Sequence, residues 1–498
     1  MAERLAVSRR DVLLRTAAGS IAAAALDAAL PNAADAQVPS TVSEKPNILF
    51  ILADDLGYAD VSCYGRPDLS TPNIDRLAAE GLRFMQAYAN SAVCTASRVA
   101  LITGRYQYRL AVGLEEPLAG ASPPGTGLPP NHPSLPSLLR KIGYQSALIG
   151  KWHLGRLPDF GPLQSGYDHS YGFRGGALDY FTHKFGPPQS ATEDLWDDDT
   201  KVEQPGYLTD LLGNRAVEIV DSFAKSGRPF LVSLHFNAPH WPWEAPGDEV
   251  EAQRLTSLFH WDGGTQRTYQ RMIQQMDLQI GRVLQVLDSN GIAANTIVVF
   301  TSDNGGERYA NTWPFTGRKT ELLEGGLRIP AVIRWPSQMT PGSISEQVMI
   351  GMDWLPTLLA AAGTAPDPAY PPDGMSLMPW LTQGGAAAVP RKLYWRYKYN
   401  DQQAARDGDW KYLKILDNTF LFDVAQDPME RANLKERHKY VYERLVAQWN
   451  EWNATMLPLN PQSFTDGFTV AQLADHFGVK TPPKPRPEAV GAATQPAR

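Results

Sequence analysis

The strongest constraint on this chain is a series of short, largely apolar runs, each followed by polar residues and separated by segments of helical period. Residues 48–53, 146–149, 230–236 and 296–301 are of this kind, with a further run at 329–335. Unbroken apolar runs of this length predict strands buried on both faces. Between them, Thr71-Pro72 supplies a cap and a first-turn proline for a helix with Ile74, Leu77, Ala78 and Leu82 on one side. A second helix is expected at 134–141, stopped at Gly143, and a third at 207–224. The clearest is 269–287, where Met272, Met276, Ile280, Val283, Leu284 and Leu287 recur at helical spacing as core, not as a cofactor box. The alternation predicts an α/β fold: a mainly parallel or mixed central sheet with helices on both faces.

At 498 residues the chain exceeds a single ordinary core. The alternating pattern fades after Gly363. Pro-, Ala- and Gly-rich stretches (364–372 and 383–390) then precede aromatic, alternating segments at 393–399, 410–415 and 419–423, and a helix at about 439–452. These predict a smaller C-terminal antiparallel-sheet subdomain. The expected division is a targeting segment at 1–36, a large domain at 37–382, the subdomain at 383–480 and a disordered Pro- and Ala-rich tail at 481–498. Ser8-Arg9-Arg10-Asp11-Val12-Leu13-Leu14 resembles a twin-arginine signal, followed by an Ala-rich apolar stretch and Ala34-Asp35-Ala36 before Gln37. The expectation is a bacterial periplasmic or secreted protein that engages the twin-arginine export machinery. The apolar stretch is too short for a stable span and no later run replaces it, so no stable membrane anchor is expected. A net charge of −7 argues against nucleic acid as a partner.

The chemistry lies where polar residues follow the strands. Asp54-Asp55 follow the first, Lys151 and His153 the second, His240 the third and Asp303-Asn304 the fourth. In open parallel sheets ligands bind beyond the carboxyl ends of the strands. A carboxylate pair after a strand is usually a turn, and a lone histidine is usually packing; four such positions at equivalent points of the topology form a pattern. Asp54, Asp55, Asp303 and Asn304 offer only oxygen, which suits a hard cation, calcium ahead of magnesium. A zinc pair would want histidines beside these acids.

With these residues in view, the chain resembles the type I sulfatases of the alkaline-phosphatase-like superfamily. Cys94-Thr95-Ala96-Ser97-Arg98 is similar to the family's Cys-x-Pro/Ala-x-Arg motif, and Leu101-Ile102-Thr103-Gly104-Arg105 to its extension. Gly150-Lys151-Trp152-His153-Leu154-Gly155, the stretch 317–326 with Lys319 before Glu324-Gly325-Gly326, and Leu421-Phe422-Asp423 with Asp427-Pro428 and Asn433-Leu434 also match. The resemblance implies that a maturation enzyme oxidises Cys94 to formylglycine, whose hydrate is the nucleophile. It implies one calcium ion per chain on Asp54, Asp55, Asp303 and Asn304, with residue 94 completing the shell. Arg98 would hold the hydrate, Lys151 and Lys319 the sulfate oxygens, His240 would protonate the leaving oxygen and His153 would assist elimination. Glu324 reads as a loop-fixing residue.

With Cys94 converted, Cys63 has no partner; a Cys63–Cys94 bridge is the other reading of the two cysteines. The implied substrate is a small-molecule or saccharide sulfate ester. Trp241, Trp243 and Trp261, with His260, are candidates for stacking on an aromatic ring or sugar, packing being the alternative. The rival functions are a phosphodiesterase or phosphonate monoester hydrolase using the same aldehyde, and a non-enzymatic binding protein that keeps its thiol.

Overall fold

A computed structural model of the chain describes residues 45–186, 190–260, 262–382 and 386–467. The leader read at 1–36, the tail at 481–498 and Trp261 lie outside the described residues. The main sheet is built from β1 (Asn47–Ala53), β2 (Leu82–Phe84), β3 (Gln145–Lys151), β4 (His169–Phe173), β5 (Trp196–Asp197), β6 (Thr200–Lys201), β7 (Phe230–His235), β8 (Thr296–Ser302), β9 (Ala331–Arg334) and β10 (Ser343–Ser345). Their spatial order is β10-β2-β9-β8-β1-β7-β3-β4-β5-β6. The central five, from β8 to β4, run parallel. β9 and β5 pair antiparallel at either side of them, so the sheet is mixed.

The burial of β1 on both faces explains its unbroken apolar sequence. Leu49, Ile51 and Ala53 point into one core with the helices α1 (Pro72–Glu80), α4 (Leu208–Ser226) and α5 (Gln266–Ser289). Ile48, Phe50 and Leu52 point into the other, with α2 (Cys94–Thr103), α3 (Leu135–Arg140) and α6 (Trp354–Ala361). Each fully buried aliphatic side chain here contributes about 1.5–3 kcal/mol, so neither face can be surrendered to solvent. Helices therefore cover both sides.

Helix ends follow local chemistry. Ser134 caps α3 by accepting from the Ser137 amide, while the Ser137 hydroxyl takes the Ser134 amide in return. α1 ends at Gly81, and Leu82 begins β2 instead of continuing the helical face as the spacing suggested. The reason is room: a Cβ at Gly81 would lie 2.1 Å from the Ile333 carbonyl oxygen, because the chain turns there directly against β9.

A second, four-stranded antiparallel sheet comprises β11 (Lys392–Tyr397), β12 (Gln402–Asp407), β13 (Trp410–Ile415) and β14 (Asn418–Asp423), in sequence order. It packs with α7 (Lys439–Ala454) through Trp395, Leu413, Leu421, Leu445 and Trp449, in one cluster with Val93, Ala96 and Ala100 around α2. Glu324 joins the parts. Its buried carboxylate accepts from the Tyr88 hydroxyl (2.6 Å), Arg328 Nε (2.7 Å) and Lys411 Nζ of β13 (2.9 Å), the loop-fixing role expected for it.

Candidate active site and metal centre

The sheet order places the functional segments side by side. β8, β1, β7 and β3 are consecutive parallel strands, so their carboxyl ends share one edge. Asp303-Asn304, Asp54-Asp55, His240 and Lys151-His153 emerge there. Backbone bonds tie the exits together: the Asp303 amide donates to Ala53 O, and the Asp54 amide to Ala238 O, both at 3.2 Å. Cys94 is the first residue of α2, whose N-terminus faces the same edge, and is 1% exposed.

Three carboxylates and three cations meet at this edge, all buried. Lys151 Nζ donates to Asp54 Oδ2 at 2.6 Å, and Lys319 Nζ to Asp55 Oδ2 at 2.6 Å. Arg98 donates from Nε to Asp303 Oδ2 at 2.9 Å and from Nη1 to the Lys151 carbonyl at 3.1 Å. Asn304 Nδ2 donates to Asp55 Oδ1 at 2.7 Å. That leaves two buried oxygens without a donor, Asp54 Oδ1 and Asn304 Oδ1. Ligand atoms of Asp54, Cys94 and Asp303 lie within 4.8 Å of one another, as do those of Asp54, Asp55 and His240. Unsatisfied buried oxygens amid carboxylates fit a hard divalent cation. Burial pushes Asp54 up to about 8 against the pull of Lys151, with Asp303 adding to the rise. A divalent cation would reverse this by favouring the ionised form.

The histidine tautomers follow from their partners. His153 Nε2 lies 2.7 Å from the Leu118 carbonyl, which can only accept, so Nε2 carries the proton. Its Nδ1 lone pair then faces Cys94 Sγ at 3.3 Å. His240 Nδ1 lies 2.7 Å from the Trp241 carbonyl, and its Nε2 accepts from Lys319 Nζ at 3.1 Å. Burial first, then neighbouring lysines, holds both imidazoles well below the ordinary histidine range. Burial works against the Lys319 charge, but its neighbours, Asp55 first, outweigh it and raise this ammonium well above its usual value. The proton shared by Lys319 and His240 therefore resides on the lysine. Burial also raises the Cys94 thiol, so it is un-ionised.

Backbone strain collects at the same place. Asp55, His153 and Thr320 have φ of 61°, 58° and 69°. For the β-branched Thr320 this is costly. It is held by its amide on Ala92 O (2.9 Å) and its carbonyl on Gln402 Nε2 (2.9 Å), which fixes Lys319 beside it.

All the residues singled out in the sequence as catalytic or metal-binding meet here: Cys94, Arg98, Lys151, His153, His240, Lys319, Asp54, Asp55, Asp303 and Asn304. The stacking candidates separate. Trp243 is 1% exposed, packed edge-on against Tyr309, and His260 is tied to Glu251 at 2.9 Å. Trp241 is half-buried, its ring centre 4.3 Å from that of His240. Two residues escaped the sequence reading. His235 touches Arg98 Nη1 at 3.4 Å, and the one signal for it is a histidine inside an apolar run. Glu307 is buried with Oε2 unpartnered, and nothing in its Gly-rich surroundings marks it.

Comparison with known proteins gives a consistent result. The Sulfatase family model matches residues 46–364, and the model for N-sulphoglucosamine sulphohydrolase, C-terminal, matches residues 317–454. N-acetylgalactosamine-6-sulfatase of Homo sapiens is 34% identical over 394 residues, covering 75% of this chain and 72% of the relative. Arylsulfatase J of Mus musculus is 28% identical over 474 residues, covering 84% and 77%. The crystal structure of Ps i-CgsB in complex with k-i-k-neocarrahexaose superposes with a TM-score of 0.75 at 30% identity, covering 87% of this chain and 98% of that one.

Proposed function

Because the chain belongs to the sulfatase family and is a sulfuric ester hydrolase, we propose that this site hydrolyses a carbohydrate or aryl sulfate monoester to the alcohol and inorganic sulfate, with residue 94 as nucleophile after conversion of its thiol to formylglycine. The observation that carries the reading is the pair of unpartnered buried oxygens, Asp54 Oδ1 and Asn304 Oδ1, together with the cluster of Asp54, Asp303 and Cys94 ligand atoms within 4.8 Å of one another. Asp54, Asp55, Asp303 and Asn304, with residue 94 beside them, would hold one calcium ion. When bound, the ion supplies charge that polarises the sulfate and acidifies an attacking hydroxyl. Three carboxylates balance three cations, so a dication leaves the pocket positive for an anionic ester.

The protein's own groups do the rest. The hydrated aldehyde offers two hydroxyls on one carbon, one to attack sulfur and a second whose deprotonation expels sulfate. Arg98, held by Asp303, steadies that hydrate. His153, neutral and with Nδ1 toward residue 94, takes the proton of the second hydroxyl. Lys151 and Lys319 bind the sulfate oxygens and stabilise the charge developing there. With Nδ1 on the Trp241 carbonyl, His240 Nε2 carries no proton of its own, so the departing alkoxide takes its proton from Lys319 Nζ, which His240 Nε2 holds in place. The carbohydrate sulfatases among the relatives and the saccharide complex of the structural neighbour support a sugar sulfate as substrate.

Mass spectrometry of the residue-94 peptide tests the nucleophile, since conversion of cysteine to formylglycine lowers the mass by about 18 units. Turnover of an aryl sulfate by the converted protein is the expected result. Turnover of an aryl phosphodiester alone would transfer the site to the phosphonate and phosphodiester hydrolases. We further propose that the leader at 1–36 exports the chain to the periplasm or medium; retention of an Arg9→Lys, Arg10→Lys variant in the cytoplasm tests this.

A further inference from the structure

The reaction proposed above fixes where the sulfate sits but not what the alcohol rests against. The Lys319–His240 pair hands a proton to the departing oxygen, so the alcohol must lie next to that pair and beside the His240 ring. The Trp241 indole is there, 4.3 Å from that ring between centres. Lys319 Nζ stands 5.9 Å from the indole centre, so one face of the ring is turned toward the reacting groups. Phe259 supports Trp241 at 5.6 Å.

Lys319 has another neighbour through its backbone: its amide donates to the Gly306 carbonyl at 3.0 Å, and Glu307 is the next residue. Glu307 is 6% exposed and its Oε2 meets no donor, an arrangement that calls for one. Burial raises this carboxyl to about 7, and Lys319 is the strongest charge opposing the rise. A half-exposed aromatic face and an unsatisfied buried acceptor thus flank one sulfate-binding lysine.

We infer that Trp241 and Glu307 form the subsite for the released alcohol, and that it takes a pyranose, with a C–H face of the sugar on the indole and a ring hydroxyl donating to Glu307 Oε2. Aromatic faces bind apolar ring surfaces, and a few placed polar groups add selectivity. An aryl alcohol uses the indole but has no hydroxyl for the carboxylate. The two residues are therefore separable by substrate. This inference rests on the sulfatase reading of the site.

The test compares kcat/KM for mono-sulfated methyl galactosides with that for 4-nitrophenyl sulfate. Glu307→Met is expected to lower the ratio of sugar to aryl turnover about tenfold, carried by KM, because a buried hydroxyl contact is lost for the sugar alone. Trp241→Ala is expected to raise KM for the sugar about tenfold, with Trp241→Phe restoring most of it. A Glu307→Met enzyme that loses both substrates in equal proportion overturns the subsite. Saturation-transfer NMR of the galactosides on the Cys94→Ala chain reads binding without turnover, and should show contacts at the sugar C–H protons that vanish in Trp241→Ala. Contacts indifferent to Trp241 overturn the subsite as well. If those contacts depend on Trp241 while the formylglycine enzyme hydrolyses no sulfate ester, the catalytic reading falls and the sugar site stands.

Discussion

Lys151 is wholly buried and donates to Asp54 Oδ2 at 2.6 Å. Replacing it with methionine leaves that carboxylate without its partner, which costs about 3–5 kcal/mol of stability for a buried pair. It also removes the charge proposed to bind sulfate, so kcat/KM for an aryl sulfate should fall about 100- to 1000-fold. Steady-state kinetics and urea denaturation check both, and a loss below tenfold would take Lys151 out of the reaction. His235 sets a pH dependence. Burial, and then the Arg98 guanidinium, push it down to about 3. The unfolded chain takes up this proton from about pH 6.5 downward, whereas the folded chain resists until about pH 3. Stability from this group is thus complete above about pH 6.5 and falls by about 1.4 kcal/mol per unit below it. In His235→Leu the acid slope of the unfolding free energy should flatten; an unchanged slope would show that the imidazole is not held neutral. At this scale the sequence spoke unevenly. Asp54, Asp55, Lys151, His153, His240, Asp303 and Asn304 were marked by standing after strands. Cys94, Arg98 and Lys319 follow no strand and were found through motifs. His235 and Glu307 had neither signal, since their roles come from neighbours far away in the chain.

Elements were legible where burial was two-sided. β1, β3, β7 and β8 are fully or almost fully buried, and each carries an apolar stretch such as Ala147-Leu148-Ile149 in β3. β4 reads His-Ser-Tyr-Gly-Phe and β12 reads Gln-Gln-Ala-Ala-Arg-Asp, and neither has a run or an alternation to expose it. The partner strands supply the order that propensity lacks. Gly150 shows how closely those strands approach. Its φ is 109°, it pairs with Gly172 on β4 and His235 on β7, and a Cβ there would stand 1.8 Å from the His235 carbonyl oxygen. Gly150→Ala should destabilise the fold by about 2–4 kcal/mol through clash and strain. Because Lys151 and His153 follow directly, turnover should fall with it. An unaltered denaturation midpoint would mean that the sheet edge yields more than its geometry suggests.

For the whole molecule, the cation is the clearest handle. Calcium that binds the folded chain alone must raise its melting temperature with concentration, its unfolding free energy growing by about 2.7 kcal/mol at a hundredfold excess over Kd. The increment should grow from mildly acidic pH toward pH 8, because Asp54, held at about 8 by burial, must release its proton to bind. Calorimetry of chelated protein with added calcium, magnesium or zinc checks this, and equal shifts with all three would argue against an oxygen-selective site. The packing of α2 carries a last consequence. Cys94 is 1% exposed, and the helix it begins is roofed by Trp395, Leu413 and other side chains of the small sheet. A finished chain thus offers no path for a second protein to grip that thiol. Residue 395 is made 301 residues after residue 94 (395 − 94), which at ribosomal speed is about 15–60 s. The oxidation proposed for position 94 would therefore belong to that interval of synthesis. A chain allowed to fold first should stay a thiol when offered the maturation enzyme, while a short peptide spanning 94–105 should be converted.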